Sequence, residues 1–234
     1  MEEQTTLYNR RLPPKQDIYD NYNNLMFSSD SLVFNKMTKR IELYLQVKDL
    51  AGDILEFGVF KGAGLAIFLK LKNMYEPNSL SKVIGFDFFN SETTLQSIDG
   101  LNKTMMTTVL KRVNENDLSL ANVSNRLSFT DSSNFILIEG DGEKTSATFN
   151  KDNPGARIKL LYMDIDLGEP TYNILKTLWK KVVKNGIIVF DEYATHKWDE
   201  SDGVDKFLKE IEGQYEFIDT KIYAPTAYLK KLVI

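Results

Sequence analysis

Short apolar runs alternate with stretches of helical spacing along most of the chain. Five runs have the length of buried strands, and they occupy residues 54–57, 82–87, 135–139, 158–164 and 186–191. Strands that alternate with helices pair in parallel, and helices then cover both faces of the sheet. The pattern therefore predicts an α/β fold built on a mostly parallel sheet, with helices on both faces.

The end of the chain departs from this alternation. Residues 215–219 and 227–234 form two strand-like runs, and the loop between them is too short to contain a crossover helix. Strands joined in this way pair antiparallel. We therefore expect one Rossmann-like domain whose seven-stranded sheet ends in a C-terminal antiparallel hairpin.

Helical spacing is clearest before the first strand, over about residues 31–50. The apolar side chains that recur there are Leu32, Met37, Ile41, Leu45 and Val47. Ser31 is a plausible N-cap for this helix. Segments 65–71 and 172–184 are also predicted to be helical, whereas the polar segment 88–125 has weaker helical spacing and its fold is not predicted.

The first 35 residues form a polar segment that carries several tyrosines and, at positions 13 and 14, two prolines. Prolines interrupt regular structure. We expect residues 1–35 to form an arm or lid, or an element exchanged between subunits, with a flexible tail as the alternative. Its candidate contact residues are Tyr8, Arg10, Arg11 and Tyr19. Such an arm favours a homo-oligomer.

Composition narrows the class of protein. A chain of 234 residues with 42% hydrophobic and 26% charged residues is typical of one globular domain, and no apolar run reaches the length of a membrane span. The start of the chain lacks the features of a signal peptide, and the absence of cysteine excludes disulfides. A net charge of −4 gives no basic surface for nucleic acid. We expect a cytoplasmic protein that acts on small molecules, with no nucleic-acid or membrane partner.

A cluster of glycines follows the first strand. Gly58, Gly62 and Gly64 come directly after a strand that carries an acid, Glu56. Glycines at this point let the backbone turn tightly over a nucleotide-like ligand, and the next helix directs its N-terminus at the pocket. The spacing E-x-G-x-x-x-G-x-G differs from the dinucleotide fingerprint G-x-G-x-x-G. A generic α/β turn with a chance acid remains the alternative.

Acids stand at or just after the ends of the later strands. Asp87, Asp141, Asp164 and Asp191 would lie along one edge of the sheet, where ligands of parallel sheets bind. The additional acids Asp166 and Glu192 would bring four carboxylates together at the ends of the fourth and fifth strands. Strand alternation would place Asp164 and Asp166 on one side if the fourth strand continues that far. Crowded carboxylates need a cation, and oxygen ligands suit magnesium, calcium or manganese. Helix caps and salt bridges with lysines are the alternative. Those lysines are Lys144, Lys180 and Lys197.

The glycine turn resembles motif I of the class I S-adenosylmethionine-dependent methyltransferases. Segments 52–62, 85–89, 164–167 and 186–193 together resemble the macrocin O-methyltransferase family, and the resemblance extends over about residues 37–210. Members of that family methylate sugar hydroxyls of natural products and depend on a divalent metal. The resemblance implies a class I methyltransferase domain over residues 36–234 that uses S-adenosylmethionine and Mg²⁺ or another hard divalent cation, with a sugar as its acceptor.

The resemblance also implies a role for each motif residue. Asp87 would bind the ribose of the cofactor, Asp141 would lie beside its adenine, and Asp166 would be the general base. The implied cofactor-binding residues are Glu56, Phe57, Gly58, Gly62, Gly64, Asp87, Phe88, Asp141, Gly142 and Asp164. The implied metal ligands are Asp164, Asp191 and Glu192.

Two features depart from the family. Glu192 replaces an aspartate, so that it could support a metal ligand rather than bind the metal, and segment 88–94 replaces a short turn that contacts the acceptor. Residues 88–125 are therefore a possible insertion on the acceptor side. His196, the only histidine, follows the fifth strand and is a candidate catalytic or substrate-binding residue, or a surface residue. The alternative functions are methylation of an amine, carboxylate or diol, and a methyltransferase-like domain that binds without catalysis.

Overall fold

A computed structural model describes residues 15–234. The expected contact residues Tyr8, Arg10 and Arg11 of the arm lie outside the described residues. The strands are β1 (Asp53–Phe57), β2 (Val83–Asp87), β3 (Phe135–Glu139), β4 (Ile158–Met163), β5 (Val182–Phe190), β6 (Tyr215–Asp219) and β7 (Ala227–Lys231). The helices are α1 (Gln16–Met26), α2 (Leu32–Val47), α3 (Ala63–Tyr75), α4 (Ser91–Gln96), α5 (Gly100–Leu110), α6 (Leu120–Arg126), α7 (Gly142–Asp152), α8 (Gly168–Leu178) and α9 (Glu200–Glu210).

The strands form one seven-stranded sheet in the order β3-β2-β1-β4-β5-β7-β6. Pairing is parallel from β3 through β5, and β7 runs antiparallel to both of its neighbours, β5 and β6. The chain order reverses between β1 and β4, because the chain moves outward from β1 to β2 and β3 and then returns to the other side of β1. The predicted fold class and the C-terminal hairpin are confirmed.

Apolar side chains cover both faces of this sheet. On one face, Phe149 of α7 and Leu175 of α8 belong to the cluster around Phe57. On the other face, Tyr44 of α2 and Phe68 of α3 belong to a second cluster. Two buried faces explain why the central strands are near-continuous apolar runs rather than alternating ones.

Helix α2 forms where the sequence predicts it, but only Val47 of its recurring apolar residues is fully buried. Its buried residues are Arg40, Leu43, Tyr44 and Val47. Leu32 and Leu45, which belong to the predicted apolar stripe, are 51% and 39% exposed. A basic residue therefore occupies a core position of this helix, and its partner lies on the neighbouring strand, as described below.

The N-terminal part of the described chain and the segment after β2 are helical. Helix α1 has no buried residue, and the sequence did not predict it. The segment 88–125, whose fold the sequence left open, contains α4, α5 and α6. Within residues 15–234, no helix is both long enough and apolar enough to cross a membrane.

Candidate functional site

A cavity of roughly 340 Å³ opens at the carboxyl ends of the parallel strands. Phe57 and Gly58 line it from the end of β1, Asp87 and Phe88 from the end of β2, and residues 140–143 and 164–167 from the ends of β3 and β4. It lies beside the point where the strand order reverses, which is where open α/β sheets bind their ligands. The predicted edge of the sheet is therefore the edge that carries the cavity.

The segment between β2 and α6 contributes an apolar wall to this cavity. The wall residues are Ile98, Met106, Val109, Leu110 and Leu118. Asn90 and Thr94 add polar groups from the same segment. The expectation that residues 88–125 lie on the acceptor side stays a prediction, but their contact with the cavity is direct.

The three glycines of the turn are required for different structural reasons. Gly58 has a φ of +87°, and a Cβ there would lie 1.8 Å from the carbonyl oxygen of Asp164. Gly62 also has a φ of +87° and precedes α3 as its N-cap. A Cβ on Gly64 would lie 2.2 Å from Oε1 of Glu56. Gly58 thus permits the close approach of β1 and β4, whereas Gly64 makes room for a buried carboxylate.

Asp87 fixes the glycine turn through its carboxylate. Its Oδ2 accepts hydrogen bonds from the backbone N–H groups of Val59, at 2.7 Å, and Phe60, at 2.9 Å. Its Oδ1 accepts from Phe89 N–H at 3.0 Å. Each carboxylate oxygen has two lone pairs, so Oδ1 retains one for a ligand in the cavity. Asp87 therefore combines a structural role with a position suited to bind a hydroxyl group.

Asp141 and Gly142 line the cavity at the start of α7. The Asp141 carboxylate accepts a hydrogen bond of 2.9 Å from Glu143 N–H and so caps the helix. A Cβ on Gly142 would lie 3.2 Å from Ile174 and 3.3 Å from Phe57. The predicted cofactor residue Asp141 is therefore also a helix cap, as the alternative interpretation expected.

Glu56 lies beneath the cavity and does not line it. Its Oε1 is 2.7 Å from Nη2 of Arg40, and both side chains are almost fully buried. The Arg40 guanidinium also lies 3.6 Å from the centroid of the Tyr162 ring and 3.7 Å from Oδ2 of Asp164. Burial raises the pKa of Glu56 to about 7, against the opposing effect of the Arg40 charge.

Lys36 forms ion pairs with the two aspartates that directly follow β4 and β5, Asp164 and Asp191. Its Nζ lies 2.9 Å from Oδ2 of Asp164 and 2.8 Å from Oδ2 of Asp191. Burial by itself would lower the pKa of Lys36, but the charges of Asp164 and Asp191 outweigh it and raise the pKa above its ordinary value. The hydroxyl of Tyr162 donates a 2.6 Å hydrogen bond to Oδ1 of Asp191. Both oxygens of Asp191 are therefore engaged.

The side chains predicted to bind a metal do not fit a metal ion in this arrangement. Among residues 15–234, no three histidine, cysteine or acidic side chains converge closely enough to hold one. The ammonium group of Lys36 already bridges Asp164 and Asp191. Glu192 makes no hydrogen bond with Lys36, and its Oε2 is buried without a described partner. The metal site of Asp164, Asp191 and Glu192 stays a prediction.

Asp166 lines the cavity, but not through strand alternation. β4 ends at Met163, and Asp166 has a left-handed backbone with a φ of +64°. The condition that the strand continue to Asp166 is not met, and a turn brings the side chain to the cavity instead. Burial and the negative charges of Asp164 and Glu192 raise the pKa of Asp166 well above its ordinary value.

The remaining predicted residues lie away from the cavity wall. His196 is exposed and is not among the lining residues. Gly62, Gly64, Asp191 and Glu192 also lie outside the lining. The catalytic role of His196 stays a prediction, without a contact that supports it.

Sequence reasoning missed Lys36, Arg40 and Tyr162. A signal was present, because Lys36, Arg40 and Tyr44 recur every four residues and therefore share one face of α2. Tyr44 is fully buried, so this face of the helix packs against the rest of the protein. Basic side chains on a buried face need acidic partners, and the strand-end acids are the ones they find here.

Comparison with known proteins agrees with this geometry. A family model described as a methyltransferase domain matches residues 55–193, which is more than half of the chain. A crystal structure of CalS11, a calicheamicin methyltransferase, matches with a TM-score of 0.71 and 26% identity, over 94% of this chain and 87% of that one. The apo structure of CalS11, described as a TDP-rhamnose 3'-O-methyltransferase, matches with a TM-score of 0.65 and 28% identity, over 94% and 88% of the two chains.

More distant structures share the fold. The O-methyltransferase NovP matches with a TM-score of 0.67 and 18% identity, over 86% of this chain and 80% of that one. The O-methyltransferase of Bacillus cereus in complex with SAH matches with a TM-score of 0.56 and 14% identity, over 95% and 93% of the two chains. Comparison with curated proteins finds no significant match.

The family match begins within β1 and ends after β5, so it includes the glycine turn and all of the strand-end acids. Membership of the narrower macrocin group stays a prediction. The predicted enzyme class, an S-adenosylmethionine-dependent methyltransferase, is confirmed at the level of the family. The chain belongs to the methyltransferase domain family and is a class I methyltransferase that uses S-adenosylmethionine.

Proposed function

We propose that the protein transfers the methyl group of S-adenosylmethionine to a hydroxyl group of a sugar or sugar-bearing small molecule. The observation that carries the proposal is one cavity that is lined both by the glycine turn with Asp87 and by the carboxylates Asp164 and Asp166. The similarity to CalS11, which is described as a TDP-rhamnose 3'-O-methyltransferase, supports a sugar acceptor.

The cofactor would extend along the strand ends. In this arrangement the turn after β1 contacts the methionine part, Asp87 binds a ribose hydroxyl, and Asp141 with Gly142 borders the adenine. The apolar residues of α5 would cover the cofactor from the opposite side, since Met106 and Leu110 line the same cavity. Glu56 would act from beneath, through Arg40 and the glycine turn, because it does not line the cavity.

Methyl transfer needs alignment more than activation, since the sulfonium group already carries a reactive methyl. The acceptor oxygen forms a bond to the methyl carbon while the bond between that carbon and sulfur breaks. The electron pair of the broken bond remains on sulfur. The products are a methyl ether and S-adenosylhomocysteine. The hydroxyl proton passes to the carboxylate of Asp166, whose raised pKa makes it a stronger base than an ordinary aspartate when it is ionised.

Magnesium dependence remains a prediction of the sequence alone. The three ligands inferred for it are not assembled around a common point, and Lys36 bridges two of them. No step of the reaction above is assigned to a metal ion. Its atoms and charges balance with the cofactor, the acceptor and the carboxylate that accepts the proton.

The test is a methylation assay with isotopically labelled S-adenosylmethionine and a panel of acceptors. The panel should contain TDP-rhamnose and other nucleotide sugars, with a catechol, an amine and a carboxylic acid as non-sugar acceptors. We expect label in a sugar methyl ether, and no label with the Asp166→Asn variant. Label only in a non-sugar product would reject the sugar acceptor, and cofactor binding without turnover of any acceptor would favour a binding domain.

A further inference from the structure

The acceptor end of the cavity contains a cation that belongs to the protein. Two carboxylates from different strands, Asp164 and Asp191, converge on the ammonium group of Lys36 at 2.9 Å and 2.8 Å. The Lys36 side chain is 33% exposed and lines the cavity. Its charged end therefore lies between the carboxylates of Asp164 and Asp191 on one side and the ligand space on the other.

The ammonium group has donor capacity to spare. A lysine ammonium carries three N–H donors. Two of them are used by Asp164 and Asp191. The third N–H can donate a hydrogen bond to a group in the cavity. A hydroxyl oxygen that also contacts Asp166 could accept this hydrogen bond. One oxygen atom would then meet a cationic donor and a base together.

The position of Lys36 is supported from several directions. Tyr162 donates to the second oxygen of Asp191, and Arg40 lies 3.7 Å from the oxygen of Asp164 that Lys36 contacts. Arg40 and Lys36 are four residues apart on α2, so one helix presents both cations to the strand ends. The carboxylates that hold Lys36 are thus themselves held in place.

We propose that Lys36 is a catalytic residue that binds the acceptor hydroxyl. Its ammonium group supplies the positive charge at the position where the sequence predicts a divalent metal ion. This rests on the proposed transfer to a hydroxyl group. As the oxygen bonds to the methyl carbon and loses its proton to Asp166, negative charge develops on that oxygen. A fixed cation stabilises this charge most strongly in a water-poor site.

The proposal excludes a metal at the same carboxylates, so cation binding tests it without an acceptor. Wild-type protein is titrated with MnCl₂ and free Mn²⁺ is followed by electron paramagnetic resonance. We expect no stoichiometric site in the wild type and a new site in Lys36→Met, because the two carboxylates then lose their counter-charge. A tight site in the wild type that involves Asp191, and is lost in Asp191→Asn, would overturn the proposal.

Turnover supplies the second test. With an acceptor found in the methylation assay, we expect Lys36→Met to lose about 100-fold in kcat. We expect the variant to retain S-adenosylmethionine affinity within about twofold of wild type. Lys36→Arg, which keeps the charge, should recover part of the rate, and EDTA should leave wild-type activity unchanged. Lys39→Met on the same helix is the matched control, since Lys39 pairs with Glu42 instead.

The two tests separate the possible failures. Wild-type activity that EDTA abolishes and Mg²⁺ restores, or a Lys36→Met variant with full kcat, would overturn the role of Lys36 but leave the proposed methylation intact. An absence of turnover with every acceptor would reject the proposed methylation, and the Mn²⁺ titration would still decide whether Lys36 holds the cation position. Cofactor affinity verifies that each variant is folded.

Discussion

Nη2 of Arg40 lies 2.7 Å from Oε1 of Glu56, and this buried ion pair connects helix α2 to strand β1 directly beneath the glycine turn. The same guanidinium group stacks on Tyr162, whose hydroxyl donates to Asp191. The glycine turn and the strand-end acids therefore share one support. Glu56, predicted from the sequence as a cofactor ligand, acts in this structure as the anchor of that support.

Removal of one partner of this pair should be costly. In Arg40→Met the carboxylate of Glu56 stays buried without its counter-charge, and the expected loss in the free energy of unfolding is about 3–5 kcal/mol. Urea denaturation of the wild type and the variant, followed by tryptophan fluorescence, measures this difference. The double variant Arg40→Met/Glu56→Gln should recover much of the loss, and a single variant within about 1 kcal/mol of wild type would contradict a buried, paired Glu56.

Gly64 should tolerate no side chain, although it lies in the first turn of a helix. A Cβ there would lie 2.2 Å from Glu56 Oε1 and 2.6 Å from Arg40 Nη1, and the buried ion pair holds both atoms. Gly64→Ala should therefore lower the free energy of unfolding by about 1–3 kcal/mol, a typical cost of overpacking. Gly155→Ala is the control, because a Cβ at Gly155 meets nothing within 4 Å. Equal thermal midpoints for the two variants would show that the pair can move aside.

Asp87 should matter for cofactor affinity through both of its roles. In Asp87→Asn one oxygen becomes an amide nitrogen that cannot accept hydrogen bonds, and the charge that strengthens those from Val59 and Phe60 is lost. We expect the Kd for S-adenosylmethionine, measured by calorimetry, to rise about 10- to 100-fold, which corresponds to about 1.4–2.8 kcal/mol. Asp99→Asn, an exposed aspartate without a capping hydrogen bond, should leave Kd unchanged. An unchanged Kd in Asp87→Asn would remove Asp87 from the cofactor site.

The wall formed by α5 should contribute to cofactor binding rather than to folding. Leu110 lines the cavity, and α5 contains no fully buried residue. Leu110→Ala removes apolar surface from the cavity, so the Kd for S-adenosylmethionine should rise about 5- to 30-fold with little change in Tm. Leu101→Ala on the same helix is the control, because Leu101 is 70% exposed. If Leu110→Ala instead lowers kcat for the acceptor at constant Kd, the segment 88–125 belongs to the acceptor side.

The linear pattern of the chain was sufficient to predict the sheet and the edge at which the site lies. Apolar runs of strand length and turn residues between them are local properties, and parallel pairing places every carboxyl end on one edge. The strand-end acids Asp87, Asp141, Asp164 and Asp191 could therefore be assigned to this edge from the sequence. The same reasoning could not tell which acids line the cavity and which lie beneath it, because that depends on which face of the strand each side chain takes.

The sequence by itself determined the α/β class, the C-terminal hairpin, the glycine turn and the acidic edge, because each depends on residue types at short spacing. Only the tertiary structure decided how the acids are neutralised. Lys36 and Asp191 are 155 residues apart, and their ion pair exists because α2 packs against β4 and β5. Charge balance in a buried site depends on side chains that folding brings together from distant segments, and no local pattern specifies that partnership.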